Sequence, residues 1–489
     1  MGIVKVTAAR RETVRTAGDA FLEVCYSALG ELPVLHVGGS PEEMGRQYGA
    51  LVGDKLRRNL DRMVGLFTEL GLPEALVRLL LDKGWERLQP HTPEPYLVEM
   101  AAIAAGAQDA GFEVSEADVH RLTTVTNFDL YKREERVLEI LGEDAAPLLE
   151  QLGGAISCTF FAVWGSRTVD GKLLAHRNLD WVSQTGMHED RLLTVYRPEG
   201  KHAFATMGYA GVVGALAGMN EHGVALSEIG AFSAREELDG TPWIFIARRV
   251  LEESDCLEQG VEIVEDAEHT IGYNYLVADG DPDNFGCEDF VPRAAAFETN
   301  FECCETFYED DPKEHAAAWT APDGRIVWYG LPLEEAVLRG DMAFGERTRA
   351  LQAADNGPGE PDNDGNPLEG DTYNECHKPM HDMIRAYETG SEYVYPLRGT
   401  KVIDAGDPRR IGVDEALTIA ATVAHNTEKL DESDWDVMSV VYAPTDLEFF
   451  VAYETCDAEG RWRNAPDSGY WGFSLRELVD ETAQGGSQS

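Results

Sequence analysis

The spacing of apolar positions changes character near residue 156. Over roughly the first 150 residues it is helical: in GGSPEEMGRQYGALVGDKLRRNLDRM, Met44, Tyr48 and Leu51 recur on one face of a helix. Ser40 stands at the N-cap position, Pro41 at the first helical position and Glu43 at the third, a full set of start signals. Ser115 with Asp118 makes a second capping box at the head of SEADVHRLTTVTNFDLYKREERVLEIL. From Ile156 onward the runs are short and alternating: CTFFAVWG, KLLAHRNLDW, RLLTVYRP, HAFATMGY, GVVGALAGMN and GVALSEIG. Turn pairs separate them, among them Asp170-Gly171 and His222-Gly223, as in antiparallel strands joined by tight turns. Helical spacing is predicted again in PWIFIARRVLEESDCLEQGVEIVED and PLEEAVLRGDMAFGERTRALQAA. A late strand pair, WDVMSVVYAPTDLEFFVAYE, turns at Pro444 to Asp446.

Charge is the one unusual feature of the composition. Against 88 Asp and Glu stand 41 Lys and Arg, a formal net charge of −47, and the excess is spread along the chain. Such a surface repels nucleic-acid phosphates and anionic membranes, so neither is an expected partner. The same distribution fits a halophilic cytoplasm, where high salt screens self-repulsion. The opening MGIVKVTAARRETVRTAG lacks the apolar core of a secretory signal, and no later run is long enough to span a bilayer. Residues 355–371, DNGPGEPDNDGNPLEGD, read as a solvated acidic loop: the glycine falls too early for a calcium loop and no glutamate closes it.

Eight cysteines without any CxxC pair do not make a disulfide framework and read as free thiols. Cys158 differs from the others by its setting. It opens a strand-like run just past Gly153, Gly154 and Ala155, where the backbone is uncrowded. Attack of its sulfur on the Ser157 carbonyl, followed by thioester hydrolysis, would leave a chain beginning with Cys158. The new α-amine titrates near ~7.7 to 8.0 and can serve as base for its own thiol, so no histidine partner is required. Taken alone, Cys158 better suits a small buried apolar position, and it is the surrounding motif set that reverses this.

The surrounding motifs resemble the N-terminal-nucleophile hydrolases, specifically the penicillin acyltransferase-like autoproteolytic family, with choloylglycine hydrolases as more distant relatives. GSPEEMGRQYGALVG is similar to that family's propeptide opening, CTFFAVWGSRTVDGKLLAHRNLDW to its nucleophile hairpin and GMNEHGVALSE to its Asn-Glu-x-Gly turn. FETN and SVVYAPTDLEFFVA resemble its later asparagine and closing strand pair. The resemblance implies an α+β, four-layer αββα sandwich of two antiparallel sheets. A helical propeptide, residues 1–157, would remain bound to the catalytic part, 158–489. It also implies roles: Cys158 as nucleophile and, through its amine, general base; Arg177 near the sulfur; Asp180 on the amine; Asn220 and Asn300 as oxyanion donors. Arg347 would be a further active-site arginine, with Arg349 as its competitor. Phe160, Trp181 and Tyr209 would line the pocket for an N-acyl amide substrate, and no cofactor or metal is implied. A homo-oligomer is compatible with all of this.

Simple pairing across Asp170-Gly171 sets Cys158 opposite Ser183, three residues past Asp180, so an irregularity is expected at Trp164-Gly165-Ser166. Arg177 and Asp180 differ by an odd number and would face opposite ways on a flat strand, which requires a bend there. Two rival readings stand beside the hydrolase. One is an uncleaved scaffold; the other is a zinc site at His377 and His381 of CHKPMHDM, against which Pro379 argues by interrupting a regular helix.

Overall fold

The computed structural model describes residues 3–69, 72–127, 158–231, 233–320, 324–352, 373–396, 399–424 and 434–481. Ser157 and the acidic loop 355–371 lie outside the described residues. One sheet of seven strands comprises β1 (Lys5–Val6), β5 (Thr159–Val163), β6 (Leu174–Val182), β16 (Ala336–Arg339), β19 (Asp434–Ala443), β20 (Glu448–Tyr453) and β23 (Tyr470–Ser474). Its order is β1-β23-β20-β19-β6-β5-β16. The second sheet takes β2 (Arg10–Ala17), β3 (Ala20–Ser27), β4 (Gly30–Gly39), β7 (Arg191–Pro198), β8 (Phe204–Tyr209) and β9 (Ala217–Asn220). It continues through β10 (Val224–Gly230), β11 (Tyr273–Asp279), β12 (Arg293–Asn300) and β13 (Cys303–Phe307), in the order β13-β12-β11-β10-β9-β8-β7-β4-β3-β2. Pairing is antiparallel except for β1 with β23 and β4 with β7, which are parallel. Three short ribbons, β14–β15 (Ala318–Thr320, Ile326–Trp328), β17–β18 (Tyr393–Tyr395, Thr400–Ile403) and β21–β22 (Thr455–Cys456, Trp462–Arg463), lie outside both sheets.

The two sheets face one another across a shared apolar core that includes Phe160, Ala162 and Ala175 from the first and Ala225, Leu276 and Ala296 from the second. The outer face of the first sheet, with Phe161, Val163 and Leu174, packs on α7 (Lys378–Thr389) and α8 (Val413–Thr422). The outer face of the second is covered by α1 (Pro41–Glu69), α5 (Trp243–Glu253) and α6 (Leu257–Glu265). This is the expected αββα sandwich, and β5 shows why its strands read as continuous apolar runs. TFFAV is buried at every position because layers cover both its faces.

Both predicted capping boxes are present. Ser40 N donates to Glu43 Oε2 at 2.8 Å and Glu43 N to Ser40 Oγ at 3.3 Å, and the Ser115–Asp118 pair opens α4 (Glu116–Thr126). Between them lie α2 (Glu74–Leu88) and α3 (Glu94–Asp109). Glycines let α1 and α3 touch backbone to backbone: a Cβ on Gly49 would sit 2.0 Å from the Ile103 carbonyl oxygen.

Three expectations are corrected. The chain before α1 is strand, not helix: β2–β4 form one end of the second sheet, and β4 pairs with β7. The β2 sequence RRETVRTA presents charged side chains on that open edge, which discourages further pairing. PLEEAVLRG is not helical either. Ala336–Arg339 is fully buried against β5, because completing the sheet beside Phe160–Val163 outweighs local propensity. Finally, Pro379 does not break the CHKPMHDM helix; it sits in the first turn of α7, where its missing N–H costs nothing.

Candidate active site

Cys158 precedes β5 directly, at 2% exposure. The β5–β6 register pairs Thr159 with Asn178 and Val163 with Leu174. Continued by one residue, it sets Cys158 opposite Leu179 rather than Ser183. The residues in excess are taken up where the irregularity was expected: Gly165–Arg167 is a 3-10 turn, and Gly165 has φ +62°, a conformation open to glycine. The Cys158 thiol thereby comes within 3.7 Å of the Asp180 carbonyl oxygen, to which it donates.

A second irregularity lies on the other side of β6. Asp180 pairs with Asp436 and Leu179 with Met438, so Val437 is an extra residue on β19. Such a bulge twists the ladder locally. The Tyr209 hydroxyl, from the opposing sheet, donates to the Val437 carbonyl at 3.0 Å and so props it. Both Arg177 and Asp180 are buried, and both act electrostatically on the Cys158 site. Burial first, then the charge and hydrogen bond of Asp436, raise the Asp180 carboxyl well above the ordinary carboxylate range. Asp436, paired with Asp180 across β6 and β19, thus disfavours the ionised form of Asp180.

Glu228, on β10, is the residue beside the candidate site that sequence reasoning missed. Arg177 donates through Nε to the Glu228 carbonyl oxygen at 2.8 Å and through Nη2 to its carboxylate. The pair is wholly enclosed, and burial, only partly offset by Arg177, raises Glu228 to about 7. Arg177 Nη1 has no hydrogen-bond partner among the described residues, which leaves a buried guanidinium donor free. Burial likewise pushes the Cys158 thiol up to about 12; Arg177 lowers it, Glu228 raises it, and backbone hydrogen bonds with Asp180 and Gly230 lower it. In the uncut chain the sulfur is therefore a protonated thiol. The motif signal that could have found Glu228 is its own segment, GVALSEIG: a carboxylate inside a largely apolar strand-like run needs a cation if the run is buried.

The asparagines separate. Asn300 ends β12, two residues beyond Glu298 and so on the same face, and Glu298 reaches Arg339 of β16 in the opposing sheet. Its Oδ1 accepts from Glu302 N at 2.9 Å and Cys303 N at 3.1 Å, which fixes the amide while Nδ2 bonds no described residue. Asn220 is a correction. Its Nδ2 donates to Leu251 O at 3.1 Å and Ser254 O at 2.8 Å, and its Oδ1 accepts from His222 N and Val224 N at 3.0 Å. With both amide hydrogens committed to the end of α5, Asn220 ties a turn and has none for an oxyanion.

Arg347 is exposed and donates to Glu302 O at 3.3 Å, beside the turn that follows Asn300. Arg349 turns away, to Gly345 O and Ala318 O at 3.1 Å each. Of the predicted pocket residues, Phe160 is fully buried core, Trp181 is half-buried against the same core, and Tyr209 props the bulge. His377 is enclosed between the rings of Phe344 and Tyr373, and His381 bonds Asp382 at 2.9 Å, so the two do not assemble a metal site.

Comparisons with known proteins bear on this arrangement. Residues 166–295 match the family model described as acyl-coenzyme A:6-aminopenicillanic acid acyl-transferase. An uncharacterized protein of Archaeoglobus fulgidus is 29% identical over 254 residues, 50% of this chain and 41% of that protein. Protein dcd1A of Dictyostelium discoideum is 20% identical over 267 residues, 48% of this chain and 53% of that protein. The chain thus spans about half the length of the curated relatives it matches. Among solved structures, a mutant conjugated bile acid hydrolase of Clostridium perfringens superposes with a TM-score of 0.37 and 14% identity, covering 67% of this chain and 97% of that one. The Caenorhabditis elegans N-acylethanolamine-hydrolyzing acid amidase ortholog gives 0.35 and 12%, covering 59% and 93%. The matched segment holds β6 with Arg177 and Asp180 and β10 with Glu228, and on it the chain resembles the penicillin acyl-transferase family.

Proposed function

We propose that this chain is a cysteine amidohydrolase or acyltransferase that activates itself by cleavage between Ser157 and Cys158. The observation that carries the reading is one thiol at the head of β5 set against a buried Arg177–Glu228 pair and the Asp180–Asp436 carboxyl pair. In activation the Cys158 sulfur bonds to the Ser157 carbonyl carbon, the Ser157–Cys158 C–N bond breaks, and the thiol proton passes to the departing amine. Water then hydrolyses the thioester and frees the Ser157 carboxylate.

The liberated α-amine takes the thiol proton when the sulfur attacks a substrate amide. Cleavage also changes the sulfur's surroundings, because the amine, once it has taken that proton, is a cation in contact with the thiolate and stabilises it. Asp180 orients that amine. The tetrahedral oxyanion is held by Asn300 Nδ2 and by the free Nη1 of Arg177, in place of Asn220. The C–N bond breaks, the leaving amine takes the proton from the Cys158 ammonium, and the thioester passes its acyl group to water or to another amine. An N-acyl amide is the substrate class that this sequence of steps requires. The match of residues 166–295 to an acyl-transferase family supports the same class. The net charge of −47 supports action in concentrated salt.

Intact mass of the purified protein in high salt tests the proposal. Two pieces, 1–157 and 158–489, are expected from the wild type and one chain from Cys158→Ala. A wild-type chain that stays whole and consumes no N-acyl amide would refute it.

A further inference from the structure

The Asn-Glu-x-Gly turn, released from the oxyanion role, carries chemistry of its own. Ligand atoms of His202, Glu221 and His222 all lie within 4.8 Å of one another. His202 comes from the β7–β8 connection, Glu221 and His222 from the β9–β10 turn. Asp255, between α5 and α6, places Oδ1 2.9 Å from His202 Nε2 and 3.6 Å from His222 Nε2. The imidazoles meet edge to face with centroids 4.4 Å apart.

These three loops are fastened before any ion arrives. Glu221 N donates to Ala203 O at 2.9 Å and Ala203 N to Glu221 Oε1 at 2.8 Å, while His202 N donates to Glu252 O at 3.1 Å. Asn220 clamps the turn to the end of α5, and Gly223, at φ +76°, lets it pack against Pro282 and Pro444. The donor set is two imidazoles and one carboxylate, with a second carboxylate to orient a ring. That set suits zinc or a neighbouring first-row ion and not calcium or magnesium, which take oxygen ligands. Zinc bonds of ~2.0 to 2.1 Å put tetrahedral ligand atoms about 3.4 Å apart. The outermost donors need close by little more than a bond length, which rotation of partly exposed side chains supplies.

We propose that His202, His222 and Glu221 bind a zinc-class divalent ion, with Asp255 as the orienting carboxylate, and that the ion staples the β7–β8 and β9–β10 turns to the end of α5. The site uses no residue assigned to the Cys158 chemistry, so it stands or falls apart from that reading. Its test is metal binding itself. Protein dialysed against EDTA is titrated with Zn(II) by calorimetry and with Co(II) by visible absorption, in high salt to suppress loose binding to carboxylates. One ion per chain is expected for the wild type. His202→Gln/His222→Gln should weaken binding about 100-fold or more, and Asp255→Asn about 10- to 100-fold. His377→Gln/His381→Gln should leave it unchanged. Near-UV circular dichroism checks the fold of each variant, and His222→Gln, at the more exposed ring, replaces the double variant if that one unfolds. Equal titrations for wild type and the folded histidine variant, whether strong through cysteine thiols or weak through carboxylates, would overturn the proposal.

Discussion

The Arg177–Glu228 pair makes a counterintuitive prediction about charge removal. Glu228→Gln keeps the shape of the side chain and its hydrogen-bonding reach to Arg177 but deletes the carboxylate. Burial raises Glu228 from 4.5 to about 7, so between those values the native chain holds a proton that the unfolded chain has released. By linkage the native state loses stability as pH rises through that window, and the loss is complete above about pH 7. At ~1.4 kcal/mol for each tenfold change in proton affinity, the ionised carboxylate costs about 3 kcal/mol relative to the protonated one. Glutamine carries no such titration. In a Cys158→Ala background, which keeps the chain in one piece, the variant should lie within about 1 kcal/mol of its parent at pH 5. Relative to that parent it should then gain about 2 to 3 kcal/mol by pH 8, since most of the titration falls between pH 5 and about 7. Urea unfolding of both proteins at the two pH values and one salt concentration measures the difference, from which effects common to both cancel. If attraction outweighed desolvation, the variant would instead lose about 3 to 5 kcal/mol, and more at pH 8 than at pH 5. A loss of that kind would mean that Arg177 more than compensates the buried charge, and the prediction would fail.

The two asparagines should divide in their kinetics and stability. Asn300→Ala is expected to lower kcat about 10²- to 10³-fold with little change in melting temperature. Asn220→Ala, which strands Leu251 O, Ser254 O and two turn N–H groups, should cost about 1 to 3 kcal/mol of stability and spare the chemical step. Arg248 on α5 bonds Glu99 of α3 at 2.7 Å and Glu252 at 2.7 Å, fully buried, and joins the segment before Cys158 to the rest. Arg248→Ala should destabilise by about 3 to 5 kcal/mol in urea unfolding, because it leaves Glu99 and Glu252 buried without their cation. Gly49→Ala, forced against the Ile103 carbonyl, should lower stability by about 1 to 3 kcal/mol in thermal unfolding, whereas Gly65→Ala, with open space around it, should not.

How much of this was legible beforehand follows from the range over which each interaction acts. Capping at Ser40 and Ser115, the alternating runs after Ile156 and the closing strand pair at Pro444 to Asp446 are local, and a few neighbouring side chains decide them. The sequence also located the kink at Trp164-Gly165-Ser166, because the count of residues between Cys158 and Asp180 did not fit a plain hairpin. Other features depend on partners far along the chain. Ala336–Arg339 became a strand only because β5 had an open edge, and Asn220 became a clamp only because the end of α5 arrived beside it. Glu228 showed little in its own neighbourhood beyond an isolated charge in an apolar run; its importance comes from Arg177 on the facing sheet, 51 residues earlier. Periodicity marked the helical and strand-like segments, while the fold class and the candidate set of Cys158, Arg177 and Asp180 came from the resemblance of short motifs to a known family. Folding was needed to reveal which asparagine has hydrogens to spare, which carboxylate holds the arginine, and where two histidines and a glutamate converge. Those questions turn on desolvation and hydrogen-bond satisfaction, and both depend on what lies across the interface rather than along the chain.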